Sequence, residues 1–237
     1  MTLKINDNLD VAALADAYQQ AKRLQVHDIL MPESAEQVFS CLANDTPWGL
    51  VYNNGKDVIE LSNEAAGKLS PEDMKDIYRG VYARAKDQYQ FIYHYYPILT
   101  SYKSGQNREF FLHRVLEFLN SEPVLAFMRE FTGISEIIKA DAQATWFRPN
   151  NFLGLHHDED VDAGRRCAYV LNLTRTWQPN WGGYLQFFDD KDNVETALMP
   201  LFNVLNVFTV PQPHAVEYVP PQCGGNRFAI TGWFRDR

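Results

Sequence analysis

"VLNVFTVPQPHAVEYV", residues 204–219, sets two short apolar runs on either side of a turn bounded by prolines. Valine, phenylalanine, tyrosine and threonine suit an extended, pleated backbone, and the prolines forbid one continuous helix through the stretch. Similar short runs recur on both sides of it, separated by Gly, Pro, Asn and Asp clusters. They predict strands near 140–148, 152–158, 167–173, 183–188, 194–199, 203–210, 214–219 and 227–235. Short strands at this spacing point to a sandwich, barrel or jelly roll rather than to alternating βα units. The chain carries no glycine-rich phosphate loop, no GxSxG elbow and no internal repeat.

Upstream of about residue 135 the pattern is mainly helical. Leu9, Val11, Leu14 and Tyr18 recur at helical spacing. "PESAEQVFSCL" follows, with Ser34 expected as N-cap and Gln37 completing a capping box. Ser70, Pro71 and the acids after them predict another helix start, and further helices are expected over 107–120 and 123–132. "WGLVYNNGKDVIELS" interrupts this, its Asn53-Asn54-Gly55 forming a hairpin signal. The expected fold is α+β, a double-stranded β-helix (jelly roll) buttressed by N-terminal helices. Residues 1–237 are read as a single domain, with a helical part over about 1–135 and a jelly-roll core over about 136–237.

The bulk numbers set limits. A chain of 237 residues, 46% hydrophobic and 22% charged, can bury a sizeable core. A net charge of −8 argues against nucleic acid as a partner, because a phosphate backbone calls for a basic face. Cys41, Cys167 and Cys223 are few, odd in number and far apart, which fits free thiols in a reducing compartment. No apolar run approaches a membrane span and the start lacks a signal-peptide core, so no membrane is expected and the reading is cytoplasmic.

"GLHHDED", residues 154–160, supplies metal-ligating types. Alone it reads as a solvated acidic turn. Pairings of His156 with Asp158, or of His157 with Glu159 or Asp160, are all open, since residues two apart share a strand face and alternation cannot choose between them. Two downstream features bear on the choice. His214 opens a strand after the Pro-rich turn. Arg227 opens "NRFAITGWFR" (226–235), with Ala229, Thr231 and Trp233 on its face. An arginine turned inward there needs a carboxylate, because an unpaired buried guanidinium is costly.

His-x-Asp, a later His and an Arg on the last strand, with "CAYVLNLTRTW" and "WGGYLQFF" between, resemble the Fe(II)- and 2-oxoglutarate-dependent dioxygenases, within them the prolyl 4-hydroxylase-like branch. The resemblance covers about residues 140–235. It implies His156, Asp158 and His214 as catalytic metal ligands and Arg227 as the grip on 2-oxoglutarate. It further implies Fe(II) as cofactor, 2-oxoglutarate as cosubstrate and ascorbate as an optional accessory. The implied reaction hydroxylates a substrate carbon, with a prolyl residue of a protein or peptide foremost, and releases succinate and CO2. The same chemistry on a free amino acid or other small molecule, or a non-catalytic jelly-roll binding module, are the alternatives. Thr231 is expected near the metal or cosubstrate, Trp233 and Leu185 as pocket walls, and Phe147, Arg148 and Asn151 at the rim. The family's helper tyrosine falls on Val170. Either Tyr169 takes the cosubstrate-binding role through a register shift, or Tyr184 or Thr209 does. Gly182-Gly183 is assigned a shaping role.

Overall fold

The computed structural model describes residues 2–158 and 163–237. In chain order the front half contains α1 (Val11–Ala21), β1 (Arg23–His27), α2 (Pro32–Ser40), β2 (Gly49–Asn53), β3 (Val58–Leu61), α3 (Asn63–Gly67), α4 (Pro71–Arg84), β4 (Phe91–Tyr96), α5 (Ile98–Ser104), α6 (Phe111–Leu119) and α7 (Glu122–Thr132). The back half contains β5 (Lys139–Ala140), β6 (Gln143–Phe147), β7 (Phe152–His156), β8 (Arg165–Leu173), β9 (Leu185–Phe188), β10 (Val194–Leu198), β11 (Phe202–Thr209), β12 (His214–Val216) and β13 (Arg227–Arg235). Each of the eight regions expected as strands contains one here, although β7 ends at His156 and β12 at Val216, short of the expected 158 and 219.

The strands run antiparallel in the order β1-β11-β8-β13-β6-β4-β7-β12-β9-β10, with β2 and β3 continuing from β4. The two ends of this path curl toward each other. Arg23 on β1 pairs with Glu195 and donates to the Thr196 hydroxyl at 3.1 Å, both on β10. The result is the nearly closed antiparallel barrel of a jelly roll.

Alternation along β8, β11 and β13 sorts side chains between two cores. Phe228, Ile230 and Phe234, with Tyr169, Leu171, Leu205 and Val207, face the helices and pack on Tyr18, Leu112, Leu116, Met128 and Phe131. Burying each large apolar side chain stabilises the fold by about 1.5–3 kcal/mol, so this layer anchors the barrel wall on the helices. The opposite face carries Ala168, Val170, Phe208 and Ala229 into the barrel.

The capping expectations divide. Ser70 accepts from the Asp73 N–H at 3.1 Å and the Asp73 side chain answers, closing a capping box on α4. Ser34 does not cap α2. Met31 holds that position and Pro32 opens the helix, while the Ser34 hydroxyl accepts from the Lys4 N–H at 3.0 Å. The front half is also less purely helical than its periodicity suggests. Besides the Asn53-Asn54-Gly55 hairpin, it donates β1 and β4 to the sheet. Among the described residues no helix is long and apolar enough to cross a membrane.

Candidate active site

His156 and His214 face each other because their strands pair them. They are direct cross-strand partners of β7 and β12, and their ring centroids lie 4.1 Å apart. The pairing shifts by one residue beside them, from His214↔His156 to Val216↔Leu153. That bulge lets Leu153 and His156, on opposite faces of a regular strand, both contribute to the interior. Gly154 sits in the bulge, where a Cβ would lie 2.8 Å from the Gln90 carbonyl oxygen.

Each imidazole is oriented by a carbonyl two residues earlier. His156 Nδ1 donates to the Gly154 oxygen at 2.9 Å, and His214 Nδ1 donates to the Gln212 oxygen at 2.8 Å. Both Nε2 lone pairs are thereby left facing Asp158, at 3.4 Å from Oδ1 for His156 and 3.5 Å from Oδ2 for His214. Fixing the ring through its other nitrogen is how proteins prepare a metal-binding imidazole. Ligand atoms of His156, Asp158 and His214 all lie within 4.8 Å of one another. Two imidazoles and one carboxylate gathered on one side match a facial site with open positions for exogenous ligands.

Asp158 reaches this cluster by a route other than strand alternation. β7 ends at His156, and Asp158 stands in a left-handed turn with φ 56°, a conformation Asp adopts more readily than most residues. His157 points to solvent. Glu159 and Asp160, the other carboxylates weighed for the pairing, lie outside the described residues.

The electrostatics suit a cation. Burial alone would raise the Asp158 carboxyl, but the adjacent His156 and His214 side chains and the Trp233 indole N–H together hold it below its ordinary value. Burial, then the neighbouring His156, push His214 down to about 4 against the pull of Asp158, so its imidazole is neutral near pH 7.

Arg227 is 1% exposed and opens β13 opposite Phe147, its guanidinium 4.8 Å over that ring. Its Nε makes no hydrogen bond, and it has no acidic partner among the described residues. Burial lowers it to about 10, with no neighbouring charge to offset this. A guanidinium so placed fits an incoming carboxylate, which its planar fork grips bidentately. Gly182 and Gly183 make room for it. Both have positive φ, and a Cβ on Gly183 would lie 3.3 Å from Arg227 Cδ and 2.9 Å from the Trp177 ring. The expected shaping role is thus a cradle for the arginine stem.

A cavity of about 190 Å3 joins Arg227 to the His156/Asp158/His214 cluster, walled by Tyr93, Thr145, Phe147, Val170, Leu185, Phe208 and Thr231, among others. Trp233 closes it beside the His156/Asp158/His214 cluster, its indole N–H donating to Asp158 Oδ2 at 2.9 Å. The helper hydroxyls expected from sequence are engaged elsewhere. Tyr169, expected to bind cosubstrate, turns its ring to the helix-side core and donates to the Asp141 carbonyl at 2.8 Å. β8 pairs with β13 in unbroken register from Cys167 to Asn172, so nothing turns Tyr169 inward. Tyr184 donates to the Pro179 carbonyl at 3.2 Å, and Thr209 is paired with the Tyr18 hydroxyl at 2.9 Å. Of the expected rim, Phe147 lines the cavity, but Arg148 stacks on Trp146 and Asn151 is fully buried beside Tyr78. Sequence reading missed Tyr89, Phe91, Tyr93 and Gln143. For Phe91 and Tyr93 the one signal was the aromatic density of "QFIYHYYPIL" (90–99), while Tyr89 and Gln143 lie outside it.

Comparison with known proteins agrees with this geometry. Residues 142–235 match the 2OG-Fe(II) oxygenase superfamily. A stretch of 87 residues is 32% identical to mouse prolyl 3-hydroxylase OGFOD1, covering 34% of this chain but only 16% of that protein. Among solved structures, a Pseudomonas putida prolyl-4-hydroxylase superposes with a TM-score of 0.60 at 21% identity, over 96% of this chain and 99% of that one. A Trichoplax adhaerens prolyl hydroxylase, solved with a hypoxia inducible factor peptide fragment, gives 0.59 at 15% identity over 95% and 89%. At these identities the superpositions speak for the fold.

Proposed function

We propose that this prolyl hydroxylase-like 2OG-Fe(II) oxygenase domain hydroxylates a prolyl residue of a protein or peptide, consuming 2-oxoglutarate and releasing succinate and CO2. The observation that carries the reading is the pairing, in one cavity, of the His156/Asp158/His214 cluster with a buried Arg227 that has no acidic partner among the described residues. His156 Nε2, Asp158 and His214 Nε2 would hold Fe(II), and Arg227 would hold the far carboxylate of the diacid. When bound, the iron supplies the activation of dioxygen that couples decarboxylation of the 2-oxo acid to oxidation of a C–H bond.

The protein's own part is placement and exclusion of water. The backbone carbonyls of Gly154 and Gln212 keep both imidazoles aimed, with Nε2 toward Asp158. Phe147, Leu185, Phe208 and Trp233 keep the cavity walls apolar, which strengthens the charge pairing at Arg227. The choice of a prolyl substrate is supported by the relatives, which are prolyl hydroxylases, one of them solved with a peptide. Ascorbate serves as an accessory reductant in this reading.

The test is succinate formation from 2-oxoglutarate with Fe(II) and ascorbate, with and without a library of proline-containing peptides. Turnover stimulated by a peptide and abolished in both His156→Ala and Arg227→Ala is the expected result. Stimulation by free amino acids alone would move the assignment to a small-molecule substrate. Metal bound in equal proportion but indifferent to 2-oxoglutarate would leave a binding module.

A further inference from the structure

Thr231↔Gln143 and Phe234↔Ala140 follow one register along β13, and that register sets Asp141 opposite Trp233. A facing antiparallel pair that makes one backbone hydrogen bond normally makes a second in return. Here the return bond is replaced. The Asp141 N–H donates to the Trp233 carbonyl at 3.1 Å, but the Trp233 N–H donates to the Asp141 side chain, at 2.7 Å from Oδ1. The Asp141 carbonyl, released from the ladder, accepts from the Tyr169 hydroxyl at 2.8 Å. β5 ends at Ala140 and β6 begins at Gln143, so the ladder is interrupted opposite the residue whose indole meets Asp158.

The surroundings are shaped to this exchange. A Cβ on Gly232 would lie 2.6 Å from Asp141 Oδ1 and closer still to the Asp141 carbonyl, so a glycine there lets the aspartate fold back on the strand. Asp141 is 8% exposed, and Arg235 pairs with its Oδ2, giving the buried carboxylate a counter-charge. The Arg235 guanidinium also lies 5.9 Å from the Trp233 ring. A carboxylate accepts a stronger hydrogen bond than a backbone carbonyl does, so the Trp233 backbone is held more firmly than the ladder would hold it. Local breaks in a regular pattern that are compensated in this way are expected at functional sites.

We infer that Asp141 is a positioning residue for the metal centre: its carboxylate fixes the backbone of Trp233, and the Trp233 indole in turn aims Asp158. This rests on the function proposed above, which makes Asp158 a metal ligand. The line of contacts runs from Arg235 through Asp141 and Trp233 to Asp158, from outside the cavity to the His156/Asp158/His214 cluster. It also gives the Tyr169 hydroxyl a part, as donor to the carbonyl that the interruption releases.

The test measures Mn(II) affinity of the full chain by competition with a chelating dye, in a double-mutant cycle of Asp141→Ala and Trp233→Phe. Asp141 stands one step further from the ion than partners worth 10–100-fold, so Asp141→Ala is expected to weaken Mn(II) about 5-fold where Trp233 is present. In the Trp233→Phe background the same substitution is expected to change affinity by less than about 1.5-fold, because the route is already cut. Urea unfolding of every member of the cycle separates this from stability. Asp141→Ala should destabilise both backgrounds alike, since the backbone N–H of residue 233 and the Arg235 guanidinium lose their acceptor in each. A merely structural role would weaken Mn(II) equally in both backgrounds. That result, or no loss in either, overturns the inference. If Asp141→Ala is too unstable to assay, Asp141→Asn enters the same cycle. It keeps an oxygen for the Trp233 N–H without the charge, and a loss of about 2-fold is expected only where Trp233 is present. Failure of the wild-type chain to bind Mn(II) would instead overturn the proposed function itself.

Discussion

The Trp233 indole N–H donates to Asp158 Oδ2 at 2.9 Å, and the other face of that relationship is an arginine: the Arg165 guanidinium lies 3.8 Å from the Trp233 ring. The carboxylate in the turn after β7 is thus tied to the last strand of the barrel. Without this bond, Asp158 would depend on the two imidazoles alone for its orientation. Partners that orient a metal ligand typically account for 10–100-fold in metal affinity. Trp233→Phe, which keeps a ring but removes the donor, is expected to weaken Mn(II) or Fe(II) binding by roughly tenfold or more. Competition with a chelating dye measures this. Unchanged affinity would show that Asp158 is held by its own turn.

Arg227 makes an unusual stability prediction. A buried cation without a partner costs the folded chain energy, so its removal should not harm the ligand-free protein as a typical core substitution does. Arg227→Met is expected to leave the ligand-free melting temperature unchanged or higher. It should also abolish the stabilisation that 2-oxoglutarate confers on the metal-loaded wild type, about 2.7 kcal/mol at a hundredfold excess over Kd. Thermal melts with and without the diacid check both halves. A ligand-free variant that is strongly destabilised would mean that Arg227 is a structural residue.

Gly182 has φ 59°, and a Cβ there would lie 2.1 Å from the Tyr218 carbonyl oxygen. Backbone cannot yield as a flexible side chain does. Gly182→Ala is expected to cost at least about 2 kcal/mol, combining the strain of a left-handed alanine with the clash. Because the same turn bears on the Arg227 stem through Gly183, 2-oxoglutarate affinity should fall with stability. Urea unfolding and calorimetry on one preparation read the two together.

The legible parts of this fold are those with local causes. In "RFAITGWF" the alternation of Arg227, Ala229, Thr231 and Trp233 against Phe228, Ile230 and Phe234 states which face is site and which is core, and the strand follows it. The Ser70 cap and the Asn53-Asn54-Gly55 hairpin are local in the same way. Asp158 was legible as a residue but not as a geometry, because the left-handed turn that aims it leaves no mark in a two-residue period. Tyr93 was legible as part of an aromatic run but not as a residue lining the cavity. Its place depends on β4 lying between β6 and β7, a long-range pairing that no window of sequence contains. The Ser34 cap failed for a similar reason, since the Lys4 amide from a distant segment takes its hydroxyl.

His94 gives a prediction on pH. Burial first, and then the nearby Arg148, hold its imidazole at about 4, against the Asn151 hydrogen bond that acts the other way. Its ordinary value is 6.5. Above that pH the ring is neutral in both folded and unfolded chains and contributes no pH dependence. Between 6.5 and about 4 the unfolded chain takes up a proton that the native ring refuses, so stability falls as the pH falls. The loss approaches at most about 1.4 kcal/mol per pH unit across that window, and it levels off below it. His94→Gln removes the titrating group while keeping polar atoms beside Asn151. Urea midpoints of wild type and variant should therefore converge, or cross in favour of the variant, as the pH is lowered from 7 toward 4.5. A constant gap between the two across that range would mean that His94 is protonated in the native protein as readily as in the unfolded chain.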